Sequence, residues 1–458
     1  MALTPELAIA QHVASCSFEQ IPAAAVAVAK RSLIDGMAAL VAGRRADGID
    51  SMLSLADQWG GAPEARIFAS GRRAPAPLAA WINGAQMRAL ELDDCTDTLP
   101  LHPTAALLPA LLAALDITDI SGKDLVRGLA IAQDLKIRFG LAITPNAMRS
   151  GRNSVYRVFA ATAGVASVLG LDEKQTLNAL GLSASYGAGD AQCALEGVTA
   201  LRIQFGNSAH GALHSCLLAK LGATGPKEFL TGRYGYLTAF EPQHDLDVLL
   251  GDLGKRFEGT RISVKPYAAC RCTHAAIDLA KETLAELAGI NVNDITNIEI
   301  VVSPEVYNLV GGPRETKLNP ETSAAAQFSL NFMVASVLLG GEAGLADTET
   351  DKLTDSDVLS LAQRIHVKPD ESNRTAEVVG LTEMIVTTNT GQKISLQNAH
   401  PLGGPTNIIP ADMLRQKLED CISYSGRQIS ADAINQFLNQ VEHIEKEPNA
   451  SGIFDPFD

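Results

Sequence analysis

The chain has 458 residues, of which 46% are hydrophobic, and a formal net charge of −15. That length exceeds one compact core, so two domains are expected, and the acidic balance argues against a nucleic-acid or anionic-membrane surface. Aromatic residues are scarce at 5%, and the abundance of alanine and leucine favours closely packed helices. The seven cysteines (Cys16, Cys95, Cys193, Cys216, Cys270, Cys272 and Cys421) are scattered without a C-x-x-C pair. Free thiols in a reducing compartment are therefore expected. No secretory leader is read at the start, and the most apolar run, residues 104–115, is interrupted by Pro109 and too short to span a bilayer. A cytoplasmic protein is expected.

Helical spacing predicts two helices over residues 4–43, with Thr4 capping the first and Pro22 opening the second. A third helix, 48–59, closes on Gly60-Gly61, and residues 64–71 form a short extended piece. Helices are predicted over 77–92, 104–115, 121–139 (ending before Gly140), 154–169, 173–184 and 209–221. Near Lys265 the pattern changes. A helix at 273–288 precedes β-branched alternation at 295–302, with further strands at 364–367, 384–388 and 393–396. A helix is predicted over 324–339, and the chain returns to helix over 410–441. The expected fold is mainly α with an inserted α+β lid: a large all-helical domain built from both chain ends, plus a smaller mixed domain. The domain spans are 1–267, 268–398 and 399–458.

Two stretches concentrate titratable side chains. In 83–103, NGAQMRALELDDCTDTLPLHP, an acid pair (Asp93, Asp94) ends an apolar run, and a polar loop leads to His102 at a helix entrance. In 265–274, KPYAACRCTH, Lys265, Tyr267, Cys270, Arg271, Cys272 and His274 occupy ten positions. Lysine, tyrosine and histidine transfer protons, and arginine clamps carboxylates in pairs of hydrogen bonds. C-x-C without a matching second pair fits no common zinc site. In HGALH (210–214) a glycine stands where a metallopeptidase needs glutamate, so two partly buried helix histidines are expected. The turn at Gly403-Gly404-Pro405 reads as no more than a turn. Phosphate-cradling loops, a G-x-S-x-G elbow and a dinucleotide fingerprint do not occur. Arg88, Arg149, Arg152, Arg157, Arg202 and Arg271 supply cations in an acidic chain, and if several converge the substrate carries several carboxylates.

In their order, NG…ALELDD followed by HP, SGRNSVYRVFAATAGVASVLGLD (150–172), FGNSAHGALHSCLLAKLGATGP (205–226), KPYAACRCTHAAID (265–278), AQFSLNFMVASVLL (326–339) and HPLGGPTNIIP (400–410) resemble the MmgE/PrpD family over essentially the whole chain. The resemblance implies a homodimer that uses no cofactor or metal, an active cleft between the helical domain and the lid, and site residues at Asp94, His102, Lys265 and His274. The family includes 2-methylcitrate dehydratase, cis-aconitate decarboxylase and iminodisuccinate epimerase, whose reactions run through or near a carbanion beside a carboxylate. This chain departs from the family pattern at Cys95 (for threonine), at Asn153 and Val155 (for histidine and threonine), and at Arg202 (for lysine). An amide does not titrate near neutrality and an arginine is a poor base. The expectation that follows is epimerisation of a polycarboxylate, iminodisuccinate, at a carbon alpha to a carboxylate. Lys265, His274, Tyr267, His102 and Asp94 are the catalytic set, Asp94 orienting His102. Arg88, Asp93, Arg152, Tyr156, Arg202 and Arg271 bind substrate. The alternatives are a hydro-lyase of the methylcitrate type, a cis-aconitate-type decarboxylase, and an inactive helical scaffold.

Overall fold

The computed structural model describes residues 3–99, 101–143, 151–152, 154–287 and 291–458; Arg149 and Asn153 lie outside the described residues. The chain divides into two compact units, mainly helical overall with a smaller α/β part. The larger comprises Met1–Ala89, Leu101–Thr260 and Arg415–Asp458, and the smaller comprises Leu90–Pro100 and Arg261–Leu414. The sequence reading put the boundaries at 267/268 and 398/399 and left residues 90–100 with the helices.

In the larger unit, α1 (Pro5–Ser15) starts where Thr4 Oγ1 accepts the Leu7 N–H at 3.3 Å. It is followed by α2 (Ala23–Gly43), α3 (Ile49–Trp59), the ribbon β1 (Ala65–Ile67) and β2 (Arg72–Ala74), and α4 (Ala76–Met87). Next come α5 (Leu107–Leu115), buried at every position, α6 (Gly122–Ile143), α7 (Arg157–Val168), α8 (Glu173–Ser183) and α9 (Ala200–Lys220). Asp172 and Gln175 cap α8 reciprocally.

Glycine sets how closely α4 is gripped. A Cβ on Gly206 of α9 would lie 2.2 Å from the Trp81 carbonyl oxygen, and one on Gly43 of α2 would lie 1.9 Å from that of Gln86. Backbone thus meets backbone on both sides of α4, a contact no larger residue permits. Two predicted limits are corrected. The helix at 121–139 runs on through Gly140 to Ile143. Gly140 does not end it but makes room for Leu101 and the Tyr156 hydroxyl, 2.6 and 3.1 Å from where a Cβ would be. The helix at 209–221 begins at Ala200, and its added turns carry Gln204 and Ser208, which are buried.

The smaller unit holds a four-stranded sheet in the order β6-β5-β7-β8, from β5 (Ile295–Val302), β6 (Ile365–Pro369), β7 (Thr382–Thr388) and β8 (Lys393–Asn398). β5 runs parallel to β6 (Ile298 opposite Ile365) and antiparallel to β7 (Ile300 opposite Met384). Helices α10 (His274–Glu286) and α11 (Leu330–Leu338) cover it, and Ile277, Ile298, Ile300, Phe332, Met333 and Met384 meet in one buried core. The single helix predicted over 324–339 is interrupted at Phe328–Ser329, where Ser329 Oγ caps α11 through the Phe332 N–H at 3.0 Å. A second pairing, β3 (Cys95–Thr96) with β4 (Ile262–Ser263), places residues 90–100 in this unit.

The chain ends with α12 (Ala411–Tyr424) and α13 (Ala431–Glu442). Within the larger unit the Lys417 ammonium of α12 reaches the buried Asp35 carboxylate of α2, and Phe437 stacks edge-on against Phe457, centroids 4.7 Å apart. Among the described residues no helix is long and apolar enough to cross a membrane.

The backbone contact at Gly206 predicts that Gly206→Ala costs about 1–3 kcal/mol through overpacking. An unchanged thermal midpoint in this variant would refute the contact. A second prediction concerns His12 of α1, which lies against Phe257 with ring centroids 6.2 Å apart. Burial, helped by Arg138, lowers its pKa from 6.5 to about 4. The unfolded chain therefore takes up this proton first. Stability is complete above pH 6.5 and falls as the pH drops towards 4, by on the order of 3 kcal/mol. Urea unfolding of His12→Leu between pH 7 and 4 should lose that part of the slope; an identical slope would discharge His12 from the role.

Candidate active site

The 83–103 stretch leaves helical geometry before the acid pair, which lies in the smaller unit. The predicted helix 77–92 stops at Met87, and Glu91 adopts φ 54°, a left-handed conformation that an L side chain takes only at a cost of about 1–2 kcal/mol. The Lys265 ammonium accounts for its persistence: Nζ lies 3.0 Å from both the Glu91 carbonyl oxygen and Oε2. The two side chains are only 1% and 8% exposed. Removing either partner would leave a buried charge uncompensated, which costs several kcal/mol. Glu91 was not among the expected site residues, because in ALELDD it reads as one more position of a helix. Asp93 and Asp94, just beyond it, are both buried.

Arg271 is held on every side. Nε and Nη2 donate to the two oxygens of Asp97 at 2.7 and 3.0 Å, Nη1 to the Leu402 carbonyl at 2.6 Å, and Nη2 also to that of Pro401 at 3.0 Å. Its fork therefore grips Asp97 rather than offering itself to a substrate. Nη1 also lies 3.3 Å from His274 Nδ1, and His274 Nε2 lies 3.3 Å from the Ala269 carbonyl. An acceptor Nδ1 and a donor Nε2 define a neutral imidazole with its proton on Nε2. The Tyr267 hydroxyl donates to Asp278 Oδ1 at 2.7 Å, while Asp278 Oδ2 accepts from Asn398 and the Leu402 N–H. Burial and the Asp278 charge push the phenol above its ordinary range. Tyr267, Arg271 and His274 thus form one interlocked frame, and Lys265 with Glu91 forms a separate pair.

The turn at 400–405 belongs to that frame. The carbonyl of Gly403, a residue at φ 90°, accepts from the Val264 N–H at 3.0 Å, and a Cβ on Gly403 would lie 1.9 Å from the Val264 oxygen. Only glycine allows the approach.

In the larger unit, other expected residues gather on Phe205 of α9. The His102 ring stands edge-on to it at 6.2 Å, and the guanidinium groups of Arg88 and Arg157 lie 5.5 and 4.3 Å from its centre. Arg157 also donates to Ser208 Oγ at 2.9 Å and to the Gln204 carbonyl at 3.1 Å, and burial lowers its pKa to about 10. Tyr156 is buried beside it, its pKa raised by burial to about 12. Arg152 rests on Phe240 at 3.9 Å, and Arg202 donates to the Asp47 carbonyl at 2.9 Å. His210 bonds the Pro77 carbonyl and His214 the Tyr186 hydroxyl, as partly buried helix histidines.

Lys136 was missed. It sits in α6 within IAQDLKIRFG, is fully buried, and holds Nζ 4.3 Å from the centre of the Tyr156 ring with no hydrogen-bond partner among the described residues. Burial, reinforced by Arg157, holds its pKa well below the usual range. A lysine flanked by Leu135 and Ile137 carried the signal. Among the described residues no group of three or more His, Cys, Asp or Glu side chains is arranged to hold a metal ion.

Residues 7–249 match the MmgE/PrpD N-terminal domain, and residues 267–442 match the MmgE/PrpD C-terminal domain. The chain is similar to a cis-aconitate decarboxylase-like protein, oryM, of Aspergillus oryzae, with 26% identity over 94% of this chain and 92% of the relative. It is also similar to a cis-aconitate decarboxylase of Aspergillus terreus, with 24% identity over 86% and 84% of the respective chains.

A buried Lys136 whose pKa falls on folding lowers stability at pH below the ordinary lysine value, because the unfolded chain holds that proton more tightly than the native chain does. The penalty shrinks as the pH approaches the ordinary lysine value. Lys136→Met should therefore melt at a higher temperature than the parent at pH 7, with a gap that narrows at pH 10. A lower midpoint at both pH values would contradict the lowered pKa of Lys136.

Proposed function

As the chain belongs to the MmgE/PrpD family, we propose that it is a lyase acting on a polycarboxylate, removing carbon dioxide from cis-aconitate or a close analogue. The observation that carries this reading is the buried Lys265–Glu91 pair built on a strained backbone. Strain of this kind is retained where the chemistry needs the geometry. In the proposed reaction the carbon–carboxylate bond breaks and its electron pair stays on carbon. The nearby ammonium offsets the charge that develops, carbon dioxide departs, and Lys265 delivers the proton that completes the product. Water restores the ammonium. Glu91 keeps the amine in place and charged between turnovers. Arg271, His274 and Tyr267 act as positioning residues that fix the 265–274 segment through Asp97 and Asp278.

The names of the curated relatives support a decarboxylase over the epimerase expected from the sequence. Epimerisation of iminodisuccinate is the second reading, favoured by Arg202 and Asn153, which stand where the family pattern has lysine and histidine. The same proposal takes the working protein as a cytoplasmic homodimer that needs no cofactor.

Proton NMR in deuterium oxide separates the readings when cis-aconitate, 2-methylcitrate and iminodisuccinate are supplied in parallel. The expected result is carbon dioxide release from cis-aconitate with one deuterium entering the product. Stereoisomers formed from iminodisuccinate alone would move the assignment to the epimerase. Lys265→Met should lower kcat by about 100-fold or more, the range for a lost general acid. A rate within about two-fold of the parent would remove Lys265 from the chemistry, and a circular dichroism melt would show that the variant is folded.

A further inference from the structure

The sequence HGALH puts His210 and His214 one helical turn apart on α9, and neither takes part in the proposed reaction. Their rings are both half-buried, with centroids 5.7 Å apart and planes inclined by 35°. Each ring spends one nitrogen on an anchor. His210 Nδ1 lies 3.1 Å from the Pro77 carbonyl in the first turn of α4. A carbonyl only accepts, so Nδ1 carries the proton and Nε2 keeps its lone pair. His214 Nδ1 lies 2.6 Å from the Tyr186 hydroxyl, at the end of the short turn that follows α8. Gly211, between the two histidines, admits that tyrosine: a Cβ there would lie 2.4 Å from Tyr186 Cγ. The glycine standing where a metallopeptidase has glutamate thus makes room for the ring that holds His214. Tyr186 packs against both imidazoles, its centroid 5.9 Å from that of His210 and 6.0 Å from that of His214. Neither Nε2 has a hydrogen-bond partner among the described residues. Imidazoles fixed through Nδ1 by a carbonyl or a hydroxyl, with Nε2 left over, have the outer-shell support that metal-binding histidines have. Burial, helped by His214 and opposed by the Pro77 bond, also lowers the pKa of His210, which favours the neutral ring a metal requires.

We propose that His210 and His214 bind one divalent cation of the Zn²⁺, Ni²⁺ or Cu²⁺ class through their Nε2 atoms, with water filling the remaining positions. Imidazole nitrogen suits these ions, whereas Mg²⁺ and Ca²⁺ take oxygen ligands. Side chains at i and i+4 of a helix are neighbours, about 5–6 Å apart at Cβ. That separation is within the span of one ion that bonds each nitrogen at about 2.0–2.1 Å. With Gly211 in place of glutamate the pair carries no adjacent general base, so the site binds and does not hydrolyse. Both ligands come from α9, and the bound ion therefore clamps one turn of that helix.

The test is calorimetric titration of the whole metal-free protein with ZnCl₂, NiCl₂ and CuCl₂ near neutral pH, beside the variants His210→Gln and His214→Gln. The expected result is one ion per chain, with Cu²⁺ held more tightly than Ni²⁺ or Zn²⁺. Either variant should bind at least about 10-fold more weakly. His366→Gln, on β6 in the smaller unit, should keep the parent affinity. No saturable uptake by the parent would overturn the proposal, and so would parent-like affinity in both α9 variants. Circular dichroism melts show whether each variant is folded. The parent alone supplies a second readout that needs no variant: electron paramagnetic resonance of the protein loaded with one equivalent of Cu²⁺ should show coupling to two imidazole nitrogens. A spectrum with one nitrogen, or with oxygen ligands only, would refute the site.

Discussion

The guanidinium of Arg271 is the fastener on which the smaller unit's chemical segment depends. It bonds Asp97 on the strand-bearing stretch after Glu91, two carbonyls of the 400–405 turn, and the ring of His274 at the start of α10. Three pieces of chain far apart in sequence thus meet on one planar group whose geometry tolerates little deviation. Lysine could not replace it, because a single ammonium cannot serve a carboxylate, two carbonyls and an imidazole in one plane. The cost of desolvating the charge is offset only while every partner is present. Asp97 is buried with it.

Lys265 stands beside this frame under a different constraint. Its ammonium binds a backbone carbonyl and a carboxylate of the same residue, so the lysine fixes both the fold and the charge of Glu91. The larger unit follows another principle. Closeness there comes from the absence of side chains at Gly43 and Gly206, and polar groups are carried on aromatic faces: Arg88 and Arg157 on Phe205, Lys136 on Tyr156. Ring faces stabilise cations with less directional demand than carboxylates do.

Periodicity made most of the fold legible. The strand at 295–302 and the helices opened by Thr4 and Pro22 stand where alternation and capping residues put them. Limits failed where tertiary packing overrode local chemistry: Gly140 sits inside α6 because a neighbour needs its space, and the added turns of α9 carry the buried Gln204 and Ser208. The 265–274 cluster was visible as a density of titratable residues, but the employment of each member was not. Arginine in a site segment reads as a substrate clamp until its partner is seen, and Asp97 carried no mark to distinguish it from Asp93 and Asp94. Glu91 was hidden because a positive φ at a non-glycine residue leaves no trace in composition.

The ion pair between Asp35 and Lys417 joins residues 382 positions apart. On a ribosome adding roughly 5–20 residues per second, Asp35 emerges about 20–80 s before the amine that neutralises it can exist. During that interval α2 carries this carboxylate without the Lys417 ammonium, and the ion pair waits until Lys417 has been made. Lys417 and the helix that bears it thus act as a timer for α2.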